Sequence, residues 1–210
     1  MLSLRDRSVW RLGDAHRMTA GPEVWLLADA ELGGVLVNAP VWSPALVQAT
    51  SRIAPLRYVF LPSHRGARDL DRWRAAGCEV LAFEAEAPAI RAEQGADAVD
   101  IAFNRKQRLS RTIDFLPMAG VTAGTCALRC KNLPGVVFFG PALAPGEDGW
   151  PTVRPAPEDH SAEARLFGCL GVKDLKFEWA FCDAFDPETT RVGPEADRAI
   201  CAAIGRFLDD

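Results

Sequence analysis

The sequence is poor in histidine: His16, His64 and His160 are the only three in 210 residues. Three scattered imidazoles are too few for a histidine-rich zinc or iron cluster. No run of Lys or Arg exceeds two in a row, so the concentrated basic footprint of a nucleic-acid binder is missing. No stretch approaches the ~18 apolar residues of a membrane span. Internal repeats and low-complexity tracts are absent as well. The opening Met1-Leu2-Ser3-Leu4-Arg5-Asp6-Arg7 carries charge where a secretory signal needs an apolar run. A cytoplasmic protein is expected, with Cys78, Cys126, Cys130, Cys169, Cys182 and Cys201 as reduced thiols.

What is present reads as an ordinary globular chain. Hydrophobic residues make up 49% and charged residues 25%, with a formal net charge of −4. Acidic and basic residues are interspersed, as on a solvated surface. Six Trp and eleven Phe supply bulk for a core. The length suits a single domain over residues 1–210 that needs no covalent staples. Cys126 and Cys130 are spaced to share one face of a strand. Metal sites use that spacing, but no second Cys/His pair lies nearby, so two small core fillers are the stronger reading.

Apolar runs bounded by Gly, Asp and Pro predict strands at Val9–Leu12, Glu23–Ala28 and Val35–Ala39, with a hairpin turn over Asp29–Gly34. Ser43-Pro44 opens a helix with an N-cap and a first-turn proline. A buried strand follows at Leu56–Leu61, then a helix over Ala67–Ala76 stopped by Gly77. Glu79–Phe83 is the next strand and Pro88–Glu93 a short helix. Strands are expected at Val99–Phe103 and Leu109–Leu116, joined by the basic turn Asn104–Arg108. Two more follow at Thr125–Cys130 and Val136–Phe139, around the turn Asn132–Gly135. Ala144–Pro157 reads as a Pro/Gly loop, in which Trp150 is free to lid a pocket or dock a partner. A helix at His160–Leu170 has Asp159 as its N-cap, and Leu175–Cys182 is a strand. The last helix begins at Gly193-Pro194 and carries the stripe Ala196, Ile200, Ala203, Ile204 and Phe207. This order predicts two packed sheets with helices outside.

Several motifs in sequence order resemble the metallo-β-lactamase superfamily. Val59-Phe60-Leu61-Pro62-Ser63-His64 looks like the strand that leads into its His-x-His-x-Asp-His loop. Pro117 to Leu143 is similar to its Pro-Gly-His-Thr-x-Gly-Ser stretch, then a hairpin and a strand ending in Gly-Asp. Asp183-Ala184-Phe185-Asp186-Pro187 stands where Gly-His-Gly-Asp-Pro is usual. The correspondence covers roughly residues 9 to 208 and implies an α+β fold, a four-layer αββα sandwich of two mixed sheets. It also implies a metal site among loops at strand ends.

Carried over residue by residue, that site loses its donors. In one register the first motif places Ser63, Arg65, Ala67 and Arg68 at the ligand positions. Shifted by one, it places His64, Gly66, Arg68 and Asp69 there. The later ligands fall on Val121, Pro141 and Ala184, and the Asp that often ends the early strand is Asn38. Valine, proline and alanine carry no side-chain donor, and arginine is a permanent cation. The resemblance therefore implies a member without metal or other cofactor, lacking the ion that would acidify a bound water. Gly120, Thr122, Gly124, Gly140 and Pro187 remain as turn residues.

The candidates left around the old site are His64, Arg65, Arg68, Asp69, Asp183 and Asp186. The expected arrangement is an ion-paired cluster, with Arg65 and Arg68 set against Asp69, Asp71, Asp183 or Asp186. His64 is either a base or anion ligand beside the two arginines, or a loop residue that contacts backbone. A triad from Ser63, His64 and Asp69 is disfavoured, since one loop rarely gives that geometry and no Gly-x-Ser-x-Gly elbow exists. Asp159-His160 belongs to a helix start. Gly33-Gly34 is a turn rather than a phosphate loop. The expectation is a catalytically silent binding or assembly subunit, as a homodimer or with a partner protein, without nucleic acid or membrane. The alternative is a metal-free hydrolase or small-anion binder using the same cleft.

Overall fold

In the computed structural model the chain forms two compact units, Met1–Asn104 and Arg105–Asp210. The structure describes residues 1–13, 21–104 and 107–209. His16, and Arg105 and Lys106 of the expected basic turn, lie outside the described residues.

The first unit is built on seven strands: β1 (Leu2–Ser3), β2 (Arg7–Arg11), β3 (Trp25–Asp29), β4 (Gly33–Val37), β5 (Leu56–Leu61), β6 (Glu79–Phe83) and β7 (Ile101–Phe103). They lie side by side in chain order. Pairing is antiparallel from β1 to β4 and parallel from β4 to β7. The change comes where the tight β3–β4 turn gives way to crossovers that carry helices α1 (Pro44–Ser51), α2 (Leu70–Ala75) and α3 (Ala87–Gln94). Alternate residues Leu26, Leu36, Val59, Leu61, Val80 and Ala82 meet Leu46, Leu70, Trp73 and Ile90 of the helices in one core. The other register, including Leu27, Val35, Phe60 and Leu81, is buried too. That explains why these strands read as continuous apolar runs.

In the second unit, β8 (Gln107–Arg108), β9 (Ile113–Pro117), β10 (Cys126–Cys130), β11 (Val136–Gly140) and a later strand form one sheet. A two-stranded ribbon, β12 (Ala144–Pro145) with β13 (Pro151–Thr152), comes next, then α4 (Ala162–Leu170), the later strand β14 (Trp179–Cys182) and α5 (Ala196–Asp209). β14 joins the sheet parallel to β11 and the other pairs are antiparallel. Ala127, Val137, Phe139 and Ala180 pack with Cys169 of α4 and with Ala196, Ile200 and Ile204 of α5. Cys126 and Cys130 share the other register with Phe115, Phe138 and Phe181, all buried. Phe138 and Phe181 stack there at 5.2 Å.

Several element boundaries differ from expectation for local reasons. Helix α2 starts at Leu70 rather than Ala67, because Ala67 is extended and Asp69 is left-handed at φ 48°. A 3-10 turn over His64–Gly66 precedes it. Residues 109–112 are not strand: the Leu109 and Ser110 N–H groups both reach the Ile113 carbonyl and turn β8 onto β9. β14 begins at Trp179 because its parallel partner, β11, begins at Val136. Ser161, not Asp159, caps α4, accepting from the Ala164 N–H at 3.1 Å. The Pro/Gly segment holds the β12–β13 ribbon, and Trp150 packs against the unit's core beneath Arg191. α5 starts at Ala196 because Glu195, at φ 74°, cannot extend it backwards.

Candidate functional site

Parallel pairing of β4, β5 and β6 brings their carboxyl ends to one edge of the first unit's sheet. Asn38, the segment Pro62–Asp69 and Glu86 follow those strands in turn. Asn38 is wholly buried and left-handed at φ 64°. Its Nδ2 donates to the Glu23 carbonyl at 2.8 Å. The Ala39 N–H donates to the Gly66 carbonyl at 2.9 Å. Gly66 approaches so closely that a Cβ there would lie 2.0 Å from Asn38 Oδ1. Farther along, Asp69 Oδ2 accepts the Trp42 N–H at 3.0 Å and the Trp73 indole donates to the Pro40 carbonyl at 3.0 Å. The loops after β4 and β5 are thus tied together at both ends.

His64 sits in the middle of this braced loop. Its backbone N–H and its ring Nδ1 both meet Glu86 Oε2, at 2.7 and 2.6 Å. The Glu86 side chain is wholly buried, whereas 31% of the imidazole is exposed. An ionised carboxylate only accepts, so the contact assigns the ring proton to Nδ1. Nε2 has no hydrogen-bond partner among the described residues. Arg65 is exposed. Arg68 is buried, its guanidinium so close under Gly21 that a Cβ there would lie 2.2 Å from Nη2. Nearby in sequence to Gly21, the buried Glu23 carboxylate pairs with Arg11 at 3.0 Å.

The second unit carries the remaining expected positions. Val121 is buried in the loop after β9, and its carbonyl accepts the His160 N–H at 3.3 Å. Thr122 and Thr125 join hydroxyls at 2.7 Å, which fixes that turn whatever its chemistry. Gly120 (φ 138°) and Gly140 (φ 57°) occupy backbone conformations that favour glycine. Pro141 is half-buried and Ala184 exposed. The Asp183 N–H donates to the Gly140 carbonyl at 3.0 Å. Asp186 is exposed and closes its own turn, accepting the Glu188 N–H at 2.8 Å.

A buried ion pair holds the loops of this second unit. Arg165 of α4 meets Asp159, with side chains 5% and 6% exposed, and also donates to the Ala142 carbonyl at 3.2 Å. A Cβ at Gly120 would fall 2.4 Å from Arg165 Cβ, so the Gly120 loop rests on the same helix turn. The ion pairs that brace the strand-end loops are His64–Glu86 and Arg11–Glu23 in the first unit and Arg165–Asp159 in the second. The Asp69 carboxylate is engaged with the Trp42 N–H in the loop after β4. The sequence reading passed over Glu86 and Arg165. A usable signal for Glu86 was an acid placed just past a buried strand, at the edge where the neighbouring strand delivers His64.

These residues do not fit a metal. Among the described residues no three His, Cys, Asp or Glu side chains gather to hold an ion. His64 Nδ1 is taken by Glu86, and Val121, Pro141 and Ala184 offer no donor.

Strand order, mixed pairing and helix placement together define a metallo-β-lactamase fold without a recognisable metal-ligand set among its described residues. Solved structures with this fold include the B3 metallo-β-lactamase BLEG-1, at TM-score 0.66 and 10% identity, covering 97% of each chain. A Cronobacter sakazakii metallo-β-lactamase with an HARLDQ motif gives TM-score 0.62 and 14% identity over 96% of this chain and 90% of its own. An archaeal superfamily protein from Sulfolobus tokodaii gives 0.62 and 11%, over 98% and 87%. No family model and no curated protein matches the sequence. At such identities the likeness establishes the fold, the one that the motifs implied, and leaves the chemistry to the residues.

Proposed function

We propose that this chain is a metal-independent binding or assembly subunit rather than a metallohydrolase. The observation that carries the reading is the replacement of ligand side chains at the strand-end loops by packing and ion-pair residues. Arg165–Asp159 in the second unit and His64–Glu86 in the first each brace strand-end loops of their own unit. The assembly half is supported by Phe167 and Leu170 on α4, which are 64% and 37% exposed. Residues three apart on a helix lie side by side, so these two make one apolar spot. No described helix is long and apolar enough to cross a membrane, and none of the six cysteines is in a disulfide in the described structure, as is usual in a reducing compartment.

The test combines elemental analysis with light scattering. Protein purified without chelator is expected to carry far less than one equivalent of zinc, iron or manganese, and its Tm is expected not to move on adding EDTA. A dimer or larger species that Phe167→Glu dissociates supports assembly. A stoichiometric, chelator-sensitive metal overturns the reading.

A second reading, a metal-free ligand site on the loop after β5, is favoured by the half-exposed His64 imidazole held on a buried carboxylate. Ligands of open parallel sheets lie at the carboxyl ends of their strands. Thermal shift with small hydroxylated and anionic compounds tests it.

A further inference from the structure

We propose that His64 and Glu86 form a metal-independent proton-accepting site. Nε2 of His64 takes the proton of a hydroxyl, from water or a ligand alcohol, and Glu86 is its positioning residue. The inference rests on the second reading above, that the loop after β5 serves a ligand.

A single Glu86 oxygen accepts from both the His64 backbone N–H and ring Nδ1. Two bonds to one atom fix the ring plane as well as the tautomer. The carboxylate is wholly buried, so it is held there rather than exchanged with water. The loop cannot drift, because Gly66 locks against Asn38 and Asp69 against Trp42. Nε2 then remains as the ring's outward hydrogen-bonding atom, on an imidazole that is 31% exposed.

The proton step is simple. The O–H bond breaks with its electron pair left on oxygen, and the proton joins the Nε2 lone pair. The resulting imidazolium is neutralised by the Glu86 carboxylate at Nδ1, as in other carboxylate–imidazole couples. Neither a metal nor a redox partner enters. A purely structural role for Glu86, pinning the loop through the His64 backbone N–H, would leave the reactivity of Nε2 indifferent to the carboxylate charge.

The experiment compares wild type with Glu86→Gln, whose amide oxygen still accepts both N–H groups. Ring nitrogens of His64 are read by 15N NMR, and Nε2 reactivity by diethyl pyrocarbonate with peptide mass mapping. His160, which is exposed, serves as the reference. The expected wild-type tautomer carries its proton on Nδ1. In alkaline buffer, where ring protonation does not compete with the reagent, carbethoxylation of His64 relative to His160 should fall roughly three- to tenfold in Glu86→Gln, because the charge that stabilises positive charge developing on the ring is gone. A proton on Nε2 in wild type, or an unchanged ratio in a folded Glu86→Gln protein, overturns the proposal. If Glu86→Gln does not fold, the wild-type tautomer decides alone. Separately, a set of alcohols and sugars that leaves the His64 resonances unmoved overturns the ligand reading without altering the tautomer result.

Discussion

Gly66→Ala is the sharpest test of the interlocked loops. Gly66 has no left-handed φ, so alanine is free to adopt its backbone and only space is at issue. The added methyl would lie 2.0 Å from Asn38 Oδ1 and 2.9 Å from its Cγ. Asn38 cannot simply swing away, because it is wholly buried and donates to the Glu23 carbonyl at 2.8 Å. Overpacking of this kind costs about 1–3 kcal/mol. Breaking the buried amide bond to relieve it adds about 1 kcal/mol or more. A loss of about 2–4 kcal/mol follows, or a Tm lowered by ~5–15 °C for a chain of this size. Urea denaturation followed by tryptophan fluorescence measures it, since Trp73 is fully buried. The control is Asn38→Gly in the same background. Glycine tolerates φ 64° and removes the obstructing amide. The pair should be less destabilised than the two single changes summed, by about 1–3 kcal/mol. A Gly66→Ala protein within ~0.5 kcal/mol of wild type, or a strictly additive cycle, would refute the packing argument.

Arg165→Met should destabilise by about 3–5 kcal/mol in the same assay, because it strands the buried Asp159 carboxylate; adding Asp159→Asn should recover part of that loss, and no recovery would deny their coupling. Asp100 is held below the usual aspartate range: burial pushes its pKa up, but bonds from Arg74 and the Val80 N–H, together with the Arg74 charge, outweigh it. Its stabilisation is therefore present above the unfolded pKa and lost as pH falls through the lower folded value. Asp100→Asn should cost about 0.5–1 kcal/mol at neutral pH, reduced by solvent screening, with the gap to wild type closing in acid; a gap that widens in acid refutes the assignment. Burial pushes the Cys78 and Cys169 thiols up to about 11 and those of Cys126 and Cys182 higher still. With Ellman's reagent the folded protein should titrate only at the half-buried Cys201, the others appearing on unfolding; two fast thiols in the native protein would contradict this.

Strands of the parallel half were legible because they are buried on both faces and bounded by Gly and Pro. Leu56–Leu61 and Glu79–Phe83 match residue for residue. Ser43-Pro44 likewise announced α1, with the Ser43 hydroxyl accepting from the Leu46 N–H. Asp69 defeated the reading of α2 because nothing local marks an aspartate as left-handed; the reason is its bond to Trp42, twenty-seven residues away. Asp159 looked like a cap and proved to be an ion-pair partner, since the competing Ser161 lies two residues on. The lack of side-chain donors at Val121, Pro141 and Ala184 could be read directly, because a side chain without a lone pair is a fact of composition. Glu86 could not be matched with His64 until the order of β5 and β6 in the sheet was known. Sequence separation hides partners that a parallel sheet brings edge to edge.

The Arg165 anchor bears on any attempt to engineer a metal site into this protein. Grafting histidines at Val121 and Ala184 and aspartate at Pro141 would put donors on the loops at the strand ends. The Gly120 turn would still rest on the Arg165 backbone and Cβ, and the Ala142 carbonyl on its guanidinium. A designer seeking a zinc enzyme would first have to evict that cation together with its carboxylate and refill the volume with apolar side chains. Building such a site is thus a repacking problem in α4 before it is a coordination problem.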